Sequence, residues 1–537
     1  MARLAIEEIM KGYEKGKSER DLFLSIYEPA YKYGFPSRYG AISPGNRTPS
    51  AAAREDIFDT SYEDACKEGS KTIQSFLFPP NTDWIGFQAG KAFDRAPKFK
   101  KDAAHRQLEP VAEVMNLFKG QSNFDAAASP FCDDLMVGHG YMAHLEGTYE
   151  KPINYVTIPF NQIVRKVDGF GESCCYWREW EVENEFVKEL WPAADYSYES
   201  GKGGQKHAFI YCCYRDDKSG RWREVVICRD GKDGRDARAI LERSHLFSPI
   251  QDLPWEISPG ENYGRGLALN AVVNARRLNK FSEYSLRSLA FDLPMFLVRD
   301  NSIDLRKFKP YPGAGIRVKS NESTNPSIAP LQLGNRGHDL EQFHMDRVDM
   351  SLRRSLGASS IPNMPVPGGM TATEVSERIT ELSRFQYTDY GRMMNYIQGG
   401  IQRDLEIYRK FGYVPEQIDP RSFNGFGYAI KVHTRLAQMQ KSGEYENMLR
   451  ITQMYLQLDP SGQYARRRFK FDELTGDLSG GLGMPQKYIR TMDELEEYDR
   501  SVAEAQAAAS AASARQSVDV SNAIEQGKQE ARSNANI

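Results

Sequence analysis

The hydrophobic spacing of the sequence changes twice along the chain, and these two changes limit the fold more than any other feature. Between about Gly140 and Asp252, β-branched and aromatic residues lie between turn signals, including Asp168-Gly169 and Asp216–Gly220. This arrangement predicts an antiparallel β region with hairpin turns. On both sides, apolar residues recur every three or four positions, which is typical of helices. We therefore expect an α+β protein that is mainly helical.

Several helices are predicted before the β region. The N-terminal stretch MARLAIEEIMKGYEKGK indicates a short amphipathic helix. Helical spacing also runs over Ser61–Phe78, where Pro79-Pro80 would end the helix because proline lacks the backbone N–H. Two more helices are predicted over His105–Gly120 and Phe124–Gly138.

Longer helices are predicted after the β region. Leu267–Phe291 has regular helical spacing and is closed by Pro294. A segment rich in helix breakers follows, with short strand-like runs. His338–Leu356 repeats apolar residues every four positions, and the pattern returns over Ala372–Phe411, where Gly399-Gly400 favours a kink.

An irregular loop separates the last two of these helices. The segment SSIPNMPVPGGMTATEVSER (Ser359–Arg378) holds three prolines and a Gly-Gly pair in its first half. Its second half fits a helix start, with Thr371 as N-cap, Glu374 completing a capping box, and Met370 able to pack on Val375. From the residues alone, either a simple connector or a functional loop fits.

The C-terminal part is also expected to be helical, from YENMLRITQMYLQ to TMDELEEYDRSVAEAQ. The last stretch is rich in Ala, Ser, Gln and Asn and has little to bury. A frayed helix and a disordered tail both fit it.

Composition excludes several classes of function. The formal net charge is −3, so no overall basic field attracts nucleic acid, and any such contact must be local or weak. No apolar run is long enough for a membrane span, and the N-terminus lacks a signal-peptide core. We expect an intracellular protein. Its cysteines form no CxxC pair and are expected to be buried free thiols; they are Cys66, Cys132, Cys174, Cys175, Cys212, Cys213 and Cys228.

No catalytic or cofactor motif is found in a usable context. The segment GYEKGKS (Gly12–Ser18) approaches a phosphate-binding P-loop, but it is one residue too short and follows a helix rather than a strand. His139 and His144 lie near Cys132 and Asp133-Asp134, which suggests a metal. The spacing fits no standard site, so a helix end leading into a strand is favoured. We predict no catalytic, cofactor-binding or metal-binding residue and no enzymatic activity.

Basic residues cluster in three places, and each cluster fits either a phosphate or acidic partner or a solvated surface. The first cluster lies in the breaker-rich segment and comprises Arg299, Arg306, Lys307, Lys309, Arg317 and Lys319. The second is YARRRFKF, with Arg466, Arg467 and Arg468. The third follows the sides of two long helices and comprises Arg276, Arg277, Lys280, Arg287, Arg347, Arg353 and Arg354. For this third set, ion pairs with Glu283, Asp346 and Asp349 are the plain alternative.

Taken together, several motifs resemble one known family. FLFPPNTDW (Phe76–Trp84), the SNF and GHGYM segments, and MTATEVSER (Met370–Arg378) match its pattern, and DLSGGLGMP matches it weakly. The most specific motif is PWEISPGENYGRG (Pro254–Gly266), which is similar to the entry to the first pore helix. The chain thus resembles the portal, or head-to-tail connector, of short-tailed (podoviral) phages over roughly residues 10 to 500.

The resemblance implies a structural protein of the virion, located at one capsid vertex where head and tail meet and assembled in the host cytoplasm. Copies would form a ring of twelve, the conduit for packaging and ejecting double-stranded DNA, with weak and non-specific DNA contact. The implied partners are the terminase motor, tail adaptor or nozzle proteins, and the major capsid and scaffold proteins. No cofactor and no membrane are implied.

The resemblance also implies a division of the chain. Residues 1–265 would hold the N-terminal helices and the β-rich wing. After them would come the first stem helix (266–291), clip (292–337), second stem helix (338–356), channel loop (357–370), long wing helix (371–414), helical crown (415–500) and Ala-rich tail (501–537).

By the same resemblance, the channel loop would contact DNA through Ser359, Ser360, Asn363 and Met364. The stem would present Arg276, Arg277, Lys280, Arg347, Arg353 and Arg354. The basic residues of the clip, Arg299, Arg306, Lys307, Lys309, Arg317 and Lys319, would face the motor, the tail or DNA. The alternative is another phage structural protein, of tail or scaffold, without a DNA channel.

Overall fold

The computed structural model describes residues 6–42, 54–80, 82–93, 98–198, 203–216, 218–230, 236–291, 295–298, 328–331, 338–356 and 390–432, with residues 451, 453–454, 457, 494, 497–510, 524 and 527–528. The chain divides into two compact units. The first includes Met1–Trp84 and Val114–Arg421, and the second includes Ile85–Glu113 and Ser422–His433.

Helices account for much of the described chain, as the sequence predicts. In chain order they are α1 (Ile6–Gly34), α2 (Pro36–Ile42), α3 (Ser61–Leu77), α4 (Lys98–Gln121), α5 (Phe124–Val137), α6 (Asn184–Leu190), α7 (Leu267–Phe291), α8 (His338–Ser355) and α9 (Tyr390–Lys410). Residues 497–510, which include the start of the Ala-rich tail, are helical as well.

The strands lie mainly in the predicted β region. They are β1 (Ile85–Ala89), β2 (His139–Glu146), β3 (Ile153–Thr157), β4 (Ile163–Val167), β5 (Ser173–Glu183), β6 (Lys206–Arg215), β7 (Trp222–Asp230), β8 (Asp236–His245), β9 (Ile250–Pro254), β10 (Met295–Val298), β11 (Ile328–Leu331) and β12 (Tyr428–Val432). The expected α+β class is confirmed.

The largest sheet is an antiparallel meander in the order β4-β5-β6-β7-β8. Both predicted hairpin turns are present. Asp168 begins the first, and its Oδ1 accepts hydrogen bonds from the backbone N–H groups of Phe170 and Glu172. The second turn joins β6 to β7 through Gly220, whose φ of 63° is the left-handed conformation that glycine adopts readily.

One face of this sheet is covered by α1. Ile9 and Tyr13 pack into a buried apolar cluster with side chains that include Val164, Trp177 and Ile227. The opposite face meets a three-stranded sheet in the order β3-β2-β9, since side chains of both sheets line one small cavity. The first unit is therefore built as a helix and two sheets in layers, with further helices around β2.

The second unit contains a pair of strands that the sequence analysis missed. β1 and β12 are antiparallel partners, with Ile85 opposite Val432 and Ala89 opposite Tyr428. The two strands are short and lie more than 300 residues apart, so no local pattern links them. In the breaker-rich segment, the expected short strands are present as the antiparallel pair β10 and β11.

Most helix predictions are confirmed, and a few bounds differ. α7 has the predicted bounds, whereas α8 ends one residue before the predicted Leu356. The expectation of a short N-terminal helix is wrong, because α1 has 29 residues and buries Tyr13, Tyr27 and Tyr31 along its length. α6 is an addition inside the β region.

Of the helix predicted from Ala372 to Phe411, the structure describes only α9. The predicted capping box at Thr371 and Glu374 lies outside the described residues. The Gly399-Gly400 pair lies inside α9, where Gly400 packs close to the His144 ring. Among the described helices, none is long and apolar enough to cross a membrane.

Candidate functional site

The start of α7 is fixed by the motif PWEISPGENYGRG, the segment Pro254–Gly266. The backbone N–H of Trp255 donates to Gly138 at 2.9 Å, and that of Gly266 donates to Val137 at 2.9 Å. A Cβ at Gly266 would overlap with the backbone around Met136. Only glycine fits where the end of α5 meets the start of α7, so the motif sets where α7 begins.

Side chains from the motif and from α1 strengthen this junction. The buried Tyr27 hydroxyl donates to the carbonyl of Gly264. Asn262 donates through Nδ2 to Glu19 at 2.8 Å. Tyr263 is fully buried against Phe160, with ring centroids 5.2 Å apart. The motif is thus a packed junction that fixes the start of α7.

α7 and α8 form a helix pair that packs against the rest of the first unit. The inner face of α7 carries small and apolar residues that are nearly inaccessible to solvent, namely Ala268, Ala271, Val272, Ala275 and Leu278. Leu352 of α8 is fully buried. Asn279 locks the middle of α7, because its Oδ1 accepts the backbone N–H of Phe58 at 2.7 Å. The inner face is therefore committed to packing.

Part of the predicted basic set on this helix pair is neutralised locally. Lys280 contacts Glu283 at 2.7 Å, and Arg287 contacts the same carboxylate at 2.6 Å. Arg353 contacts Asp349 at 3.0 Å. For these three cations, the plain alternative of ion pairing on a helix surface is confirmed.

The rest of the set has no local counterion among the residues that the structure describes. Four arginines of the helix pair are exposed, and within the described residues none of them forms an ion pair: Arg276, Arg277, Arg347 and Arg354. Exposed apolar side chains lie among them, including Val273, Tyr284 and Met350, each more than half accessible. A guanidinium without a carboxylate neighbour is free to bind a phosphate or an acidic group.

The other predicted site residues lie outside the described residues. These are the loop residues Ser359, Ser360, Asn363 and Met364 and the cluster Arg299, Arg306, Lys307, Lys309, Arg317 and Lys319, together with Arg466, Arg467 and Arg468. They stay predictions.

The segment that resembled a P-loop is part of α1. Gly12 and Gly16 bring the helix close to β5 and β4, because a Cβ at either position would press into Trp177 or Val164. Lys17 contacts Glu179 at 3.1 Å. A continuous helix presents no loop of backbone N–H groups to a phosphate, so the glycines serve packing.

The histidines near the acidic pair each have their own aspartate, which explains them without a metal. His139 Nε2 lies 3.0 Å from Asp252, and His144 Nδ1 lies 2.6 Å from Asp404. The expected helix end leading into a strand is confirmed by α5 and β2. No group of potential metal ligands is found among the described residues.

Burial and neighbouring charges shift the pKa values of His139 and Asp404. It lowers the pKa of His139 to about 4, so this ring is neutral at pH 7 and donates its Nε2 proton to Asp252. Burial alone would raise the pKa of Asp404, but His144 and Lys119 hold it below its ordinary value. Burial lowers the pKa of Lys119 as well.

Asp404 is the centre of a buried polar cluster that the sequence analysis missed. Its carboxylate accepts hydrogen bonds from Lys119 at 3.3 Å and from the Tyr155 hydroxyl at 2.9 Å, besides His144. Lys119 also lies 4.1 Å from the ring centroid of Phe124. Asp404 and its three partners come from four separate elements, so no spacing along the chain reveals them.

The cysteines behave as predicted. All seven are free, and six of them are buried, with Cys174 half-buried. Burial raises the pKa of the Cys66 and Cys132 thiols, which keeps both protonated and unreactive at neutral pH.

One family model matches most of the chain. A family model described as bacteriophage head to tail connecting protein matches residues 6–489. No curated protein is similar enough to count as a relative.

Among solved structures, similar chains occur in gene transfer agent particles. The neck of the native particle, computed with C12 symmetry, matches with 9% identity and a TM-score of 0.33 over 74% of this chain and 88% of that chain. The neck of the empty particle, computed with C6 symmetry, matches with 10% identity and a TM-score of 0.32 over 71% and 84%. Similarity this remote carries no functional conclusion.

Proposed function

Because the chain belongs to the family of bacteriophage head-to-tail connecting proteins, we propose that its copies form a portal ring through which double-stranded DNA passes. The protein is a structural component of the virion at the junction of head and tail. The channel role is what membership of this family implies.

The observation that carries the DNA role is the split among the charges of α7 and α8. Arg276, Arg277, Arg347 and Arg354 are exposed without an ion pair in the described part of the chain, while neighbouring cations are neutralised by Glu283 and Asp349. Few free charges suit a conduit, because each phosphate contact adds affinity and a strongly basic groove would hold the DNA in place. The overall net charge of −3 agrees with weak contact.

We propose that α7 and α8 are the stem helices and that residues 292–337 between them are the clip. The clip cations, among them Arg306 and Lys307, would meet the motor or the tail. The loop at residues 357–370 would reach the passing DNA. Residues 1–265 would form the wing region and residues 415–500 the crown.

The proposed partners follow from this arrangement. They are eleven further copies in a ring of twelve, double-stranded DNA, the terminase motor, the tail adaptor or nozzle proteins, and the capsid and scaffold proteins. We infer that the chain performs no catalysis and that another protein supplies the ATP-driven force. This inference is supported by the helical state of Gly12–Ser18 and by the contact of Lys17 with Glu179.

Negative-stain images of the purified full-length protein test the proposal. We expect rings with a central hole wide enough for a DNA duplex. A tail or scaffold protein without a channel would give solid particles, filaments or monomers, and any of these as the dominant species would contradict the portal function. Measurable ATP hydrolysis that is lost on Lys17→Ala would contradict the absence of catalysis.

A further inference from the structure

A small apolar cavity lies where the two sheets of the first unit face each other. Its volume is about 120 Å³, which corresponds to roughly four water molecules. Its walls come from the three-stranded sheet, from β5 and β6, and from the end of α6; they are Ala143, Leu145, Val156, Ile158, Ile250, Arg178, Trp180, Tyr211, Leu190 and Trp191. Leu190 is also 45% exposed, so the cavity reaches the surface.

Arg178 is the one cation among these walls. Its guanidinium stacks on Trp180, with Cζ 4.1 Å from the ring centroid, and its Nη2 donates a long hydrogen bond of 3.3 Å to Gln162. Its Nε is buried and has no hydrogen-bond partner among the described residues. Burial lowers the pKa of Arg178 to about 10, so the group remains charged at neutral pH.

Other arginines in the interior of this unit have a carboxylate partner, although the Nε of Arg403 is likewise buried without a hydrogen-bond partner among the described residues. Arg165 contacts Asp252 at 3.0 Å, and Arg403 contacts Glu406 at 2.8 Å. Arg178 forms no ion pair with any described carboxylate, although a half-buried charge is costly to leave without one. Stacking on tryptophan offsets part of that cost but leaves the Nε–H unsatisfied. An anion that enters beside the exposed Leu190 would supply the missing partner.

We propose that this cavity binds a carboxylate carried on a short aliphatic stem. The carboxylate would accept hydrogen bonds from Arg178, and the stem would lie against Trp180, Trp191 and Leu190. The mainly apolar walls exclude a larger or more hydrated anion such as phosphate, because it would lose its water without enough donors in return. The end of a glutamate side chain and a free short-chain fatty acid share this chemistry. The proposal does not depend on the DNA role.

Titration of the full-length protein with butyrate tests the proposal. Trp180 and Trp191 line the cavity, so tryptophan fluorescence should change saturably, with millimolar affinity as expected for so small a ligand. Butyramide and butanol have nearly the same shape without the charge and should cause no saturable change. Equal responses to butyrate and butyramide, or no saturable response to butyrate, would overturn the proposal.

Two further ligands separate the possible sources of the carboxylate. Acetyl-glutamate methylamide and its glutamine analogue carry the same stem on a peptide backbone. Tighter binding of the glutamate compound than of butyrate would assign the site to a side chain of a protein partner. Tighter binding of butyrate would assign it to a free acid.

Variants locate the binding at Arg178. Arg178→Met keeps the stem and removes the charge, and it should weaken butyrate binding by about tenfold or more, since a charge-assisted pair is lost. Arg178→Lys retains the charge and should weaken it less. Arg221→Met, at an exposed turn of the same sheet, is the matched control and should bind like wild type. Undiminished binding by both Arg178 variants would overturn the assignment. If Arg178→Met does not fold, the ligand comparison in wild type still decides.

Discussion

The charges in the interior of the first unit and those on the α7–α8 pair obey opposite rules. In the interior, Asp404 gathers Lys119, His144 and Tyr155, and its partners stand on distant parts of the chain. On the helix pair, Arg276 and Arg347 are exposed and form no ion pair within the described ranges. The charges around Asp404 form a closed set that fixes the fold, whereas Arg276 and Arg347 remain available to a partner.

The same difference separates the paired cations of the helix pair from its exposed arginines. Glu283 neutralises two cations of α7, so these charges face each other along one helix and contribute little to binding. Such pairs add little to stability, because water screens the exposed cations and long side chains lose freedom. The following predictions test the contrast, from the largest expected effect to the smallest.

Breaking the interior cluster should have the largest effect. Asp404→Ala leaves Lys119 and His144 without their shared carboxylate in the core, and the loss should be about 3–5 kcal/mol of unfolding free energy. Urea unfolding followed by tryptophan fluorescence would measure it.

Asp349→Asn is the matched surface control for that experiment. It removes the contact with Arg353 and should cost no more than about 1 kcal/mol. Similar losses in Asp404→Ala and Asp349→Asn would break the distinction between interior and surface charges.

Acid should destabilise the fold through the second interior pair, His139 and Asp252. His139 has a folded-state pKa of about 4, below its ordinary 6.5, so its neutral form is the one that the fold accepts. As pH falls from 6.5 towards 4, the unfolded chain takes up this proton and the folded chain does not, so stability is lost, by roughly 3 kcal/mol in total. Thermal unfolding over this pH range would measure the loss.

His139→Gln should flatten that pH window, because glutamine does not titrate. Asp252 contributes in a lower window. Burial would raise its pKa, but Arg165 and His139 hold it below the ordinary value, so its contribution is lost only below about pH 4. An unchanged pH profile in His139→Gln would assign the acid sensitivity to other groups.

Gly266, at the start of α7, should tolerate substitution less well than a helical glycine with open space around it. Gly266→Ala places a methyl group into the backbone near Met136 and should destabilise by about 1–3 kcal/mol. Gly120→Ala has nothing within 4 Å of the added Cβ and should be neutral or stabilise by up to about 1 kcal/mol, since alanine favours helix. In urea titrations, the free energy of unfolding should fall for Gly266→Ala and should not fall for Gly120→Ala. Equal losses in the two variants would refute the close packing at Gly266.

Local periodicity was enough to predict much of the fold. α7 matches its predicted bounds because its inner face repeats small and apolar residues without a breaker. The length of α1 could not be predicted, since Gly12, Gly16 and Pro29 all suggest an interruption. Gly12 and Gly16 let the helix approach Trp177 and Val164. This contact is tertiary, so local sequence patterns do not reveal it.

The candidate site was predicted in part. Glu283 and Asp349 lie three or four residues from their cations, so the sequence already indicated these pairs. The cavity beside Arg178 and the cluster around Asp404 could not be predicted, because both join elements far apart in the chain. Arg178 differs from other interior arginines only through what it lacks, and a sequence does not show a missing neighbour.

The salt dependence of DNA binding tests the central claim most directly. Two triple variants of the full-length protein lower the net charge equally: Arg276, Arg277 and Arg347 to Gln, and Lys280, Arg287 and Arg353 to Gln. The measured quantity is the slope of log affinity against log salt for a random-sequence duplex. In the first variant this slope should become shallower by about 1–3, since each phosphate contact that is removed accounts for roughly 0.9. In the second variant the slope should change by less than about 1. Equal changes in both variants, or a wild-type slope in the first, would contradict the account.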